Sequence, residues 1–267
     1  MKRIFLSLAL LATSLSAQDW ARQKLEQSSR HREWVKVQHG GRTVEGYVAY
    51  PEVKDKAPVV LVIHEIFGLS DWAQLAADEF AAAGYIAIAP DLLSGKGPNG
   101  GGSKSMDGSS IGQAIRDLSA DQITADLNAA ADYALKLPAA NGKLFVAGFC
   151  YGGSQSFRFA TNRPDLKAAF VFYGGGPTDD SINRIKAPVY GFYGGNDARV
   201  TATVEPTKEK MKAAGKTYEA VVYDGAGHGF MRGGEDPTAN NATHAADTKA
   251  HDEAWKRMKE LMAKLSK

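Results

Sequence analysis

The sequence has 267 residues, 44% hydrophobic and 23% charged, an ordinary globular composition with enough apolar mass for one large core. Its single cysteine excludes an internal disulfide. Lys and Arg number 32 against 30 Asp and Glu, and setting aside Lys2 and Arg3 leaves 30 against 30, so no bulk charge recommends nucleic acid or an anionic membrane as a partner.

Residues 1–17 combine a basic start, an apolar run and a small residue, Ala17, at their end. This pattern predicts a secretory signal peptide cut after Ala17, and hence a periplasmic or extracellular protein. The apolar run is too short for a comfortable membrane span and no later stretch qualifies, so stable membrane insertion is not expected. Residues 18–34 read as a polar extension or short helix packed by Trp20 and Leu25, with His31 on the surface. The main domain is expected over 35–267. An exported chain with one thiol must bury it or use it.

Alternation over 34–37 and 43–50, with His39-Gly40-Gly41 between, predicts an antiparallel hairpin. The β-branched run at 59–63 reads as a strand covered on both faces. Ser70 caps a helix over 72–83 that closes at Gly84, and a strand over 85–89 stops at Pro90-Asp91. Residues 94–110, rich in Gly and Ser, are long enough for a mobile cover over a site or a disordered surface loop. Helical spacing at Ile123, Leu127, Ala130 and Ala134 marks the next helix. Further strands follow at 143–147, 168–172, 189–193 and 217–223, with helices over 154–161, 205–214 and 243–265. Strands alternating with helices predict an α/β fold: a mostly parallel sheet with helices on both faces and the hairpin at one edge.

The strand at 143–147 runs into Gly148-Phe149-Cys150-Tyr151-Gly152-Gly153. This spacing is the nucleophile elbow of α/β-hydrolases with sulfur in place of the usual serine oxygen. In such sheets the site lies at the carboxyl ends of the strands. Glu65, Cys150, Asp197 and His228 all fall there, and the last three follow the order nucleophile, acid, base. The helix after the elbow points its N-terminal dipole at the sulfur, which favours negative charge there. An imidazole such as His228 suits both proton transfers, and Asp197 would hold its tautomer. Asp224 is the rival acid, but it sits on the loop that carries His228.

Together, His64-Glu65-Ile66-Phe67-Gly68-Leu69, Ala89-Pro90-Asp91-Leu92, the cysteine elbow, Gly195-Asn196-Asp197 and Gly227-His228-Gly229-Phe230 resemble the dienelactone hydrolase family. The resemblance runs from about Val35 onward. It implies an α/β-hydrolase fold, a Cys150–Asp197–His228 triad, and hydrolysis of small esters or lactones through a thioester. It also implies that Glu65 contacts the thiol and helps form thiolate when substrate enters, and that Arg232 neutralises Glu65 and recognises a substrate carboxylate. By the same likeness the backbone N–H groups of Ile66 and Tyr151 form the oxyanion hole. The family places a second arginine soon after Pro-Asp-Leu. Here Leu93-Ser94-Gly95-Lys96-Gly97 has none, and lysine lacks the bidentate fork.

Two other function classes fit the same residues. One is a catalytically weak binding protein for small molecules on this fold. The other is acyl transfer or peptide cleavage by the same nucleophile. No cofactor is implied, and no metal-ligand cluster is expected, since His244 and His251 are not at one-turn spacing.

Overall fold

The computed structural model describes residues 18–177 and 180–267; the expected signal peptide lies outside them. Eight strands form one sheet: β1 (Arg32–His39), β2 (Arg42–Ala49), β3 (Ala57–Ile63), β4 (Ile86–Pro90), β5 (Ala140–Phe149), β6 (Leu166–Phe172), β7 (Val189–Gly194) and β8 (Tyr218–Tyr223). Their spatial order is β1-β2-β4-β3-β5-β6-β7-β8. β1 and β2 pair antiparallel, as do β2 and β4, and every other pair is parallel. The hairpin turns on Gly40 and Gly41, whose φ values of 52° and 75° suit glycine. The antiparallel edge and parallel centre are as the periodicities predict.

The central strands are buried on both faces, so alternate residues feed two separate cores. From β5, Phe145, Ala147 and Phe149 enter one core, where they meet α1 (Asp19–Gln27), α2 (Asp71–Ala82), α8 (Phe230–Glu235) and α9 (His244–Leu265). Leu144 and Val146 enter the other, packed by α4 (Ala120–Leu135), α5 (Tyr151–Asn162) and α7 (Val204–Ala213). Ser70 and Ser119 cap α2 and α4 by accepting the N–H groups of Ala73 and Gln122. Near the carboxyl ends of the strands, Phe149, Phe172 and Phe192 stack at centroid distances of 4.8 and 4.5 Å. This aromatic ladder lies directly under the loops that carry the site. No helix among the described residues is long and apolar enough to cross a membrane.

Of the two forms expected for the stretch before Val35, it takes the short helix: α1 buries Trp20, Ala21 and Leu25 in the main core, and β1 begins at Arg32. Two points differ from the sequence expectation. Three short helices were not legible: α3 (Gly108–Arg116), α6 (Ala198–Thr201) and α8. The Gly-rich loop at 94–110 is tied down by Asp91. That carboxylate accepts the Ser103 N–H (2.7 Å) and hydroxyl (2.6 Å), and the Ser103 oxygen accepts the Leu69 N–H (3.0 Å). Its glycines permit close approach: a Cβ at Gly102 would run into Asp91, and one at Gly68 into Ser103.

Candidate active site

The elbow is strained where the spacing places the nucleophile. Cys150 adopts φ 55°, ψ −114°, a conformation that costs a non-glycine residue roughly 1–3 kcal/mol. Neighbouring bonds hold it there. Its N–H donates to Phe172 O (3.0 Å), and its carbonyl accepts from Gly153 (3.0 Å) and Ser154 (3.3 Å). The flanking glycines are required by contact. A Cβ at Gly148 would collide with the Gly152 carbonyl, and one at Gly152 with the carbonyls of Ile63 and His64. The first turn of α5 therefore sits directly on the ends of β3 and β5.

Loops after β7 and β8 bring the partners in. Nε2 of His228 lies 3.0 Å from Cys150 Sγ, and Nδ1 lies 2.5 Å from Asp197 Oδ2. Asp197 is buried and the His228 side chain is 33% exposed. The His228 loop is anchored from behind, where the Gly227 N–H donates to Asp247 of α9 (2.7 Å). The hydrogen bond to the sulfur pushes the imidazole up; burial opposes this and Asp197 adds to it, for a result of about 9. Asp224 is exposed and makes no hydrogen bond to His228.

On the opposite wall, Glu65 follows β3 and is almost fully buried at 3% exposure. Arg232 Nε donates to its Oε2 (2.9 Å). Burial works against the guanidinium's charge, but Glu65 outweighs it and the arginine pKa is raised. The Arg232 guanidinium also lies 5.2 Å from the ring centroid of Phe67, which is 47% exposed. Glu65 makes no hydrogen bond to the thiol, which is engaged with His228 instead. The Ile66 and Tyr151 N–H groups have no acceptor among the described residues.

A family model for the dienelactone hydrolase family matches residues 44–266. The chain belongs to that family. It is similar to a Salmonella typhimurium protein named a carboxymethylenebutenolidase, with 34% identity covering 84% of this chain and 83% of that one. A relative of the same name from Escherichia coli strain K12 is 32% identical, over 82% of each chain. Among solved structures, one described as a dienelactone hydrolase from Klebsiella pneumoniae superposes with a TM-score of 0.75. It is 28% identical over 88% of this chain and 99% of that one. The fold is thus the α/β-hydrolase fold and the chain is a hydrolase of the dienelactone hydrolase family.

Within this dienelactone hydrolase family member, two supporting residues escaped sequence reasoning. His64 is fully buried, and desolvation lowers its pKa. Its Nε2 accepts the Leu92 N–H (3.4 Å) and its Nδ1 donates to Glu65 O (2.7 Å), which fixes the peptide that presents the Ile66 N–H. Tyr173 has φ 40° and is 1% exposed, with its ring 5.1 Å from that of His228. Burial first, and then the nearby Glu65 charge, push the phenol far above its usual range, so it stays protonated. A non-glycine residue with positive φ at a strand end leaves no readable mark in a single sequence.

The expectation of no metal-ligand cluster needs correction. Glu79, Glu235 and His251 bring ligand atoms within 4.8 Å of one another. Helix packing creates this group from three distant positions, so no spacing rule could find it. A cation is already present, since Lys24 Nζ lies 2.9 Å from Glu235 Oε1. Burial and the Glu235 charge push Glu79 well above the usual carboxylate range. Two open clefts of ≈ 580 and ≈ 550 Å³ lie on the surface, and neither is lined by the cysteine, histidine or aspartate of the site.

Proposed function

We propose that the chain is an exported hydrolase of small carboxylic esters or lactones that works through a thioester on Cys150. The observation that carries this reading is the series Sγ–Nε2 (3.0 Å) and Nδ1–Oδ2 (2.5 Å). The sulfur attacks the substrate carbonyl carbon while the thiol proton resides on His228 Nε2. The carbonyl oxygen, now anionic, accepts from the N–H groups of Ile66 and Tyr151. As the C–O bond breaks, His228 gives its proton to the departing alkoxide. Water then attacks the thioester, His228 takes its proton, and the acid leaves with the thiol restored. Asp197 keeps the proton of the imidazole on Nδ1 and offsets its positive charge.

The Glu65–Arg232 pair supports a substrate-linked element in this scheme. A substrate carboxylate that competes for Arg232 would loosen Glu65 beside the thiol and favour thiolate only when the site is filled. A panel of neutral and carboxylate-bearing lactones tests this, with faster turnover expected for the acids. The core reading is tested with an activated ester: a burst of product equal to enzyme concentration is expected, and Cys150→Ala should abolish it. Full turnover by Cys150→Ala would sink the proposal. For export, N-terminal sequencing of protein from separated cell fractions should find a chain beginning at Gln18 outside the cytoplasm. A cytoplasmic chain that keeps Met1 would refute it.

A further inference from the structure

The ≈ 550 Å³ cleft opens one helical turn beyond the nucleophile, along the outer side of α5. Ser154, Gln155 and Arg158 line it from the helix, together with Gly175, Gly176 and Arg184. Its described lining includes no acidic residue. The positions 151, 154, 155 and 158 follow helical spacing, so they share one face of α5. Three of them carry unused hydrogen-bonding capacity. The side-chain carbonyl of Gln155 is out of contact with water and accepts no hydrogen bond. The Tyr151 hydroxyl, one turn earlier, is equally buried and unpaired. Arg158 makes no ion pair with any described residue, and its charge is felt at the Tyr151 phenol, where it opposes the effect of burial. Arg184 is only partly used: its guanidinium donates to Thr161 O (3.1 Å) and Asn162 Oδ1 (3.4 Å).

An unpaired buried polar group is costly unless something completes it. Two arginines that pair with no acid among the described residues line the cleft, which matches a ligand that ends in an oxyanion. We propose that this cleft is a subsite for the remote oxyanion of an elongated ester, a carboxylate or phosphate held by Arg158 with Arg184 beside it. Arg158 stands seven positions after Tyr151 on the helix, so the anion would sit about 10 Å along the helix axis from the Tyr151 N–H. The substrate would therefore be longer than a simple lactone, with its charge far from the reacting carbonyl.

This inference rests on the ester-hydrolase reading, and the two can fail separately. Turnover of neutral 4-nitrophenyl hexanoate tests that reading alone. The subsite is tested with 4-nitrophenyl hemiesters of succinate, adipate and suberate, which carry the charge on the acyl side. Acetate esters of long hydroxyalkanoates and hydroxyalkyl phosphates carry it on the leaving side and distinguish carboxylate from phosphate. In wild type, the ratio of kcat/KM for the anionic ester to that for the neutral one should rise with chain length on at least one side. Arg158→Gln should lower that ratio about tenfold through KM, and Arg158→Lys should restore part of it. Independently of catalysis, suberate or inorganic phosphate should raise the Tm of Cys150→Ala protein, and Arg158→Gln in that background should remove the shift. A wild-type ratio that does not change with length overturns the proposal. So does an unchanged ratio in Arg158→Gln, an equal loss on charged and neutral esters, or a Tm shift that survives the substitution.

Discussion

Among the described residues, two pairs join a buried aspartate to a histidine from a distant segment, with similar geometry and different use. Asp197 meets His228 at 2.5 Å, and Asp126 meets His39 at 2.8 Å. Both acids are buried and both rings are partly exposed, at 33% for His228 and 21% for His39. The difference lies in what completes each pair. The other ring nitrogen of His228 bonds to Cys150 at a strand terminus. Asp126 instead accepts Arg42 Nε at 3.1 Å to both oxygens, and Arg42 also donates to Leu92 O. No thiol or hydroxyl bonds to His39 among the described residues. One pair is poised to move a proton; the other ties the β1–β2 hairpin to α4. An Asp–His contact alone therefore does not identify a site.

The strongest way to break this contrast is to substitute both centres. Cys150→Ala should lower kcat on an activated ester by about a thousandfold or more at nearly unchanged Tm. If Asp197→Asn leaves the fold intact, kcat should fall by about a hundredfold or more, because the amide favours the wrong tautomer. Steady-state kinetics with parallel thermal melts checks both; similar losses of stability in either variant would erase the distinction. Asp126→Ala should do the reverse. It strands Arg42 and costs about 3–5 kcal/mol of stability, while kcat per folded molecule stays within a few-fold, as urea titration and active-site counting would report.

A smaller effect concerns pH. Folding raises His228 from 6.5 to about 9, so its protonated form is favoured in the native state. That contribution is complete below about 6.5 and is lost as the pH climbs through about 9. The Tm advantage of wild type over His228→Asn should shrink across that window, and an advantage that grows instead would reverse the assignment. Smallest of all, Ser103→Ala removes one of the ties between Asp91 and Leu69 and should cost about 1 kcal/mol, read as a lower urea midpoint.

Much of the site was legible because its chemistry forces local signatures. Cys150 needs a glycine on either side where β5 meets α5, and the Cβ collisions at Gly148 and Gly152 give the reason. Asp197 follows the fully buried β7 and His228 follows β8, and a position just past a strand end is itself the signal. Helix α8 was not legible, because its Phe-Met-Arg-Gly-Gly-Glu has poor helix propensity and α9 packs against it. Tyr173 and His64 are buried at strand ends, and their placement beside the site follows from strand register alone.

By itself, the sequence determined the α/β class, the antiparallel edge, the elbow and the identity of the residues around it. Periodicity and glycine placement are local consequences of backbone sterics, and local rules can be read along a chain. Only the tertiary structure supplied the distances that join Glu65 to Arg232 across a separation of 167 residues, and a second buried Asp–His pair, at Asp126, that meets no thiol. It also decided that Glu79, Glu235 and His251 converge, and that one face of α5 keeps unpaired groups. Those are matters of distance between remote segments, fixed by how the two cores pack against the sheet. No spacing rule within one segment encodes them.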